Sequence, residues 1–140
     1  MSAGDEQNAI IETVLKHYPD VQAIYLFGSY GTEDEWPDSD VDIALLFPPR
    51  QSKSVPLLAL SPCVSALTRC LGRDVDLLNA RQVSTVFQKE IIAKGRLLYS
   101  ADQYAVDEFE MLVLSYYQKL NEERREIVNA FLETGRAYAV

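Results

Sequence analysis

The sequence predicts an α/β (α+β) domain in which a small mixed β-sheet is packed by helices. Three observations predict it. Two apolar segments, one ending in Gly28-Ser29 and one opening on Asp40-Val41-Asp42, read as strands joined through the ten residues between Ser29 and Asp40. A third short segment, Arg73-Asp74-Val75-Asp76-Leu77-Leu78, alternates acids with apolar residues. Around these strands lie stretches whose apolar residues recur every three or four positions, the period of a helix packed on one side.

At 140 residues the chain is one domain, long enough to bury a real core. A hydrophobic content of 48% and a mean hydropathy of −0.09 fit a soluble globule. No apolar run approaches the ~20 residues of a membrane span, and Asp5 and Glu6 near the start are unlike a signal peptide. With 13 Lys and Arg against 21 acids and a net charge of −8, the chain lacks the basic surface on which phosphate-driven nucleic-acid binding rests. Cys63 and Cys70 lie seven apart on an expected helix, about 10.5 Å along its axis and too far to bridge. They read as buried free thiols of a cytoplasmic protein.

Taken in order, Glu6 to Tyr18 reads as a helix with Ile10, Ile11, Val14 and Leu15 on one stripe and Pro19 just beyond its end. His17 has no ligand partners at metal spacing and reads as a helix-end histidine. Val21 to Phe27 is apolar on both faces, as in a central strand. The loop Tyr30–Ser39 is polar, and Trp36 within it reads as a loop residue rather than a base-stacking one. Pro48 to Ser54 reads as a surface loop. Ser61, as cap, and Pro62, in the first turn, start a helix carrying Val64, Leu67 and Leu71, closed by Gly72. Val83 to Ala93 is a further amphipathic helix with Val86, Phe87 and Ile91, followed by a last strand from Arg96 to Tyr99. Lys89, Lys94 and Arg96 could lie near a bound triphosphate, although basic residues on helices are usually solvated.

The acids carry the chemistry. Successive strand residues point to opposite faces, so Asp40 and Asp42 share one face with Cα atoms about 6.6 Å apart. Val41, Ile43 and Leu45 point the other way and bury the strand. Two carboxylates beside a Gly-Ser turn can hold divalent metal and a phosphate chain together. Gly28 permits close approach of a ligand to the backbone, and Ser29 offers a hydroxyl beside N–H groups that face an anion. A third carboxylate on a neighbouring strand would hold a second metal or take a proton from the attacking group. Asp74 and Asp76 both qualify; Asp74 lies closer to the preceding turn, which favours Asp76.

Gly28-Ser29, ten residues and Asp40-x-Asp42 resemble the signature of the DNA polymerase β-type nucleotidyltransferases. The short chain resembles their minimal members, the MNT antitoxins paired with HEPN toxins. The resemblance covers about Ile10 to Ser100, and it implies the polymerase β-type fold. It assigns Asp76, after Val75 in a Val-Asp-Leu strand, as the third acid. Relatives often carry arginines just after Gly-Ser where this chain has Tyr30 and Gly31, which leaves phosphate seating to backbone N–H groups, Ser29 and metal.

The resemblance further implies a reaction. Asp40, Asp42 and Asp76 would hold Mg²⁺, Gly28 and Ser29 would bind ATP, and Asp76 would help deprotonate the acceptor. AMP would pass from ATP to a tyrosine hydroxyl of a cognate HEPN ribonuclease toxin, the two proteins forming a type VII-like toxin–antitoxin pair and a hetero-oligomer, with a homodimer of this chain left open. Two alternatives stay open: a nucleotidyltransferase acting on a small molecule such as an aminoglycoside, and an antitoxin that neutralises by binding alone. Residues 1–100 read as the minimal nucleotidyltransferase domain and 101–140 as its helical extension. From Asp102 to about Thr134 the pattern is one long helix of about 50 Å, with Phe109, Leu112, Val113, Tyr116 and Leu120 on one stripe. It must either break near Asn121–Glu126 or project, and Ile127, Val128 and Phe131 would then dock a partner or pack on the sheet.

Overall fold

The computed structural model describes residues 3–28, 40–52 and 58–134. Its elements run α1 (Ala3–His17), β1 (Ala23–Phe27), β2 (Val41–Leu46), α2 (Pro49–Ser52), a 3₁₀ turn (Leu58–Leu60), α3 (Pro62–Leu71), β3 (Val75–Asn79), α4 (Thr85–Lys94), β4 (Arg96–Ser100) and α5 (Gln103–Thr134). The four strands form one mixed sheet in the order β3-β2-β1-β4. β1 runs antiparallel to both β2 and β4, whereas β2 and β3 are parallel. A parallel pair needs a long crossover, and the stretch holding α2, the 3₁₀ turn and α3 supplies it.

Period-two alternation sorts the strand residues onto two faces. Ile24, Leu26, Val41, Ile43, Leu45 and Leu77 pack with Ile10 and Val14 of α1 and with Cys63 and Leu67 of α3. Ala23, Tyr25, Ala44 and Leu46 pack on the other face with Ile91 of α4 and Val106, Phe109 and Val113 of α5. The sheet is therefore sandwiched between two helical layers. The central strands β1 and β2 are buried on both faces.

Several local expectations are corrected. Ser61 does not cap α3 through its side chain; its Oγ instead donates to the Leu58 carbonyl at 2.7 Å, closing the 3₁₀ turn. The left-handed Gly72 does end α3, its N–H donating to the Thr68 carbonyl. α4 starts at Thr85 rather than Val83, because Ser84 accepts from the Phe87 N–H. Part of the expected Pro48–Ser54 loop forms the short helix α2. Cys63 is buried but Cys70 is exposed: it shares a face with Cys63 but lies in the last turn of α3, just before the helix ends at Leu71. His17 stands at the end of α1, its Nδ1 3.0 Å from the Thr13 carbonyl.

α5 is continuous over 32 residues, about 48 Å. Asn121–Glu126 neither breaks it nor turns it back. Its buried stripe is Val106, Phe109 and Val113; Leu112 and Tyr116, expected on that stripe, are exposed. The Tyr25 hydroxyl donates to Glu110 Oε1 at 3.0 Å, pinning the first half of the helix to the central strand. Beyond Val113 no described residue of α5 is fully buried, and Ile127, Val128, Phe131 and Leu132 face outward.

Candidate active site

β1 ends at Phe27, which pairs with Asp42 of β2. The next residue, Gly28, has φ +79°, the left-handed region open mainly to glycine. A β-carbon there would collide with the Asp42 carboxylate, at Oδ2. The glycine thus gives the turn and makes room for the Asp42 carboxylate in a single position.

On the other side of β2, Asp42 pairs directly with Asp76 of the parallel strand β3. Leu77 is buried on the α1–α3 face, so alternation turns Asp76 to the α4–α5 face, where Asp42 also lies. Asp40 stands one residue before β2 and shares that face. The next N–H, of Val41, donates to the Asp74 carbonyl at 2.9 Å, which fastens the start of β2 to the start of β3. Three acids from two strands are thereby gathered at one end of the sheet. Ser29, Trp36 and the rest of the loop to Ser39 lie outside the described residues.

A cleft of about 420 Å³ opens over Asp42 and Asp76, its described lining being Phe27, Gly28, Asp42, Asp76, Phe87, Glu90 and Lys94. Neither Asp40 nor Asp74 is among its described walls. Phe27 and Phe87 meet edge to face with centroids 5.7 Å apart. Glu90 and Lys94 form an ion pair at 3.0 Å. The α4 wall comes from Phe87, Glu90 and Lys94, spaced three and four apart and so on one helix face. Sequence reasoning took Phe87 for a core residue of α4 and gave Glu90 no role; the i, i+3, i+7 spacing was the available signal. Of the three basic residues weighed as neighbours of a triphosphate against the usual solvated role, Lys94 lines the cleft, while Lys89 lies over the Tyr117 ring of α5 at 5.2 Å. Arg81, unnoticed in the sequence, is structural: its Nε donates to the Phe47 carbonyl and its Nη2 to Gln22 Oε1, and it covers the Phe109 ring.

Partial burial, then Asp76 and Asp40, raise the Asp42 carboxyl above its ordinary value. An all-oxygen, mutually repelling donor set suits a hard divalent cation, and the cleft that Gly28 helps to line gives a phosphate chain access to it. Among the described residues no three metal-ligating side chains already converge on one point.

The sequence matches the model of the family described as "Polymerase beta, Nucleotidyltransferase" over residues 9–104. The chain belongs to the polymerase β nucleotidyltransferase family. A protein adenylyltransferase of Shewanella oneidensis, MntA, is 33% identical over 134 residues, covering 95% of this chain and 92% of that protein. A crystal structure of a toxin–antitoxin with AMP-PNP contains a chain that superposes with a TM-score of 0.72 at 31% identity, over 90% of this chain and 98% of that one. The MNT antitoxin in complex with a tri-AMPylated Shewanella oneidensis HEPN toxin superposes with a TM-score of 0.66 at 29% identity, over 92% and 98% of the two chains. The nucleotidyltransferase fold expected from the sequence is the one present.

Proposed function

We propose that this chain is a protein adenylyltransferase and an antitoxin, moving AMP from ATP to a tyrosine hydroxyl of a cognate HEPN ribonuclease toxin and so silencing it. The observation that carries the reading is the direct pairing of Asp42 with Asp76 beside the Gly28 turn. It stands in a chain 33% identical to a protein adenylyltransferase over nearly its whole length. The relatives' complexes with AMP-PNP and with an AMPylated HEPN toxin support ATP and the toxin as the two substrates.

In this reading Gly28 and Ser29 seat the β- and γ-phosphates. Asp40 and Asp42, with Asp76, would hold Mg²⁺, which supplies positive charge to the phosphate oxygens as they gain charge. Asp76 takes the proton of the toxin tyrosine as its oxygen attacks the α-phosphorus. The bond from the α-phosphorus to the oxygen bridging it to the β-phosphate breaks, and pyrophosphate leaves with the electron pair. Phe27 and Phe87 give the cleft an apolar wall that excludes water from the reacting groups.

The outward half of α5 is the docking face for the toxin. Ile127, Val128 and Leu132 would otherwise remain exposed on a helix that leaves the body of the domain. No helix among the described residues is long and apolar enough to cross a membrane, and the pair acts in the cytoplasm, where its ATP is. Incubation with labelled ATP, Mg²⁺ and the HEPN toxin, followed by intact-mass measurement of both proteins, tests the reading. AMP is expected on the toxin; neutralisation without any added mass would instead establish an antitoxin that works by binding alone.

A further inference from the structure

Seven of the described residues line the cleft, and among those seven Asp42, Asp76 and Glu90 are acids while Lys94 is the one cation. A nucleoside triphosphate brings several further negative charges to that space. Residues 29–39, between Gly28 and Asp40, include no Lys or Arg, so a cation for the phosphates has to come from another element. Lys94 is well placed. It precedes Gly95, where a β-carbon would lie 3.4 Å from the Leu26 carbonyl, and Arg96 pairs with Leu26. Lys94 therefore stands beside the end of β1, where Gly28 turns the chain.

Its ion pair is of the exchangeable kind. The Lys94 side chain is 76% exposed and Glu90 sits one helical turn before it, a geometry in which water and salt compete well for both charges. Glu90 also has a physical use. An unheld lysine here would be drawn to Asp42 and Asp76 and would neutralise the carboxylates on which a metal depends.

We propose that Lys94 is the triphosphate-binding cation of this site, held on Glu90 before nucleotide binds and passed to β- or γ-phosphate oxygens when the nucleotide enters. This rests on the nucleotidyltransferase reading of the cleft. Lys94 acts on binding and on the departing pyrophosphate, and takes no proton. A phosphate chain outcompetes Glu90 because it offers more charge and more acceptor oxygens to a compact ammonium than one carboxylate does.

The test is direct binding of a non-hydrolysable ATP analogue and of AMP to the full chain with Mg²⁺, by calorimetry. Lys94→Met is expected to weaken the analogue about tenfold, roughly the value of one charge-assisted contact, while AMP binding stays within twofold. Lys94→Arg should restore most of the loss, which separates charge from folding. Glu90→Gln should tighten the analogue when Lys94 is present and have no effect with Lys94→Met, since the gain comes from releasing the lysine. Unchanged analogue binding by Lys94→Met, equal losses for the analogue and AMP, or a Glu90→Gln gain independent of Lys94 would each overturn the proposal and leave the nucleotidyltransferase reading standing. Failure of the unsubstituted protein to bind the analogue would overturn both.

Discussion

Gly28 and Asp42 are packed so closely across the β1–β2 pair that a single β-carbon on the glycine would occupy the place of the Asp42 carboxylate. The fold could absorb that carbon, because a carboxylate can swing away, but the site could not. Gly28→Ala is expected to fold with a loss of about 1–2 kcal/mol, the cost of a left-handed non-glycine residue. Transfer should fall at least about a hundredfold, since displacing a reacting group by an ångström costs that much. Circular dichroism melting and toxin adenylylation, measured side by side, check the separation. A variant with normal transfer would refute the close packing as a functional constraint.

The Asp42 carboxyl has a raised pKa in the folded protein, through burial first and then Asp76 and Asp40. Such a group favours the folded state below its ordinary value of 3.8, and that advantage is lost as pH rises through the raised value. At neutral pH without metal the ionised Asp42 therefore works against folding. Asp42→Asn should raise the melting temperature at pH 7 in chelator while abolishing transfer, and Asp40→Asn should abolish transfer likewise. Mg²⁺ should stabilise the unsubstituted protein and not Asp42→Asn. Near-normal transfer by either variant would show that the metal ligands lie elsewhere.

Asp76 and Asp74 are two residues apart, but Asp76 faces Asp42 across the strand pair and lines the cleft. Asp76→Asn should lower kcat by about 10²-fold or more, the scale of a lost general base, with binding of an ATP analogue largely kept. Asp74→Asn should stay within a few-fold of normal. Single-turnover rates for the two variants decide between them, and a larger loss at Asp74 would reassign the third carboxylate.

Cys63 and Cys70 should differ in reactivity although they share one helix. Burial pushes the Cys63 thiol up to about 11, whereas Cys70 is exposed. A thiol reagent should label one cysteine rapidly at pH 8 and the second only as fast as the protein unfolds. The raised value also makes a stability statement: the contribution of Cys63 is complete below its ordinary 9.0 and is lost as pH climbs towards 11. Mass mapping that found Cys63 labelled first would contradict the packing of α3.

Truncation after Leu120 removes the outward half of α5 and spares Val106, Phe109, Val113 and the Tyr25–Glu110 bond. A folded protein with an unchanged melting temperature is expected, with loss of toxin binding in a pull-down. Phe131→Asp in the full chain should weaken the complex in the same direction. An insoluble truncated product would mean that the segment belongs to the core.

The acid pair Asp40 and Asp42 was legible in the sequence because strand alternation is local: two residues on one strand share a face wherever the strand is placed. The same holds for Gly28, whose place before a strand–turn–strand unit implied a close approach, and for the long helical period of α5. Tertiary structure decided what meets what. The sequence favoured Asp76 over Asp74 by its distance from the turn and by resemblance, but which of them stands opposite Asp42 is a matter of register, set between strands more than thirty residues apart by how Val41, Ile43 and Leu77 pack against α1 and α3. Nor could the sequence assign Phe87, Glu90 and Lys94 to the cleft. A helical period shows that those three side chains share a face, but which face meets the site depends on where α4 docks. That docking is fixed by Ile91 settling among Ala23, Tyr25, Ala44 and Leu46, contacts between segments far apart in the chain that only the folded sheet brings together.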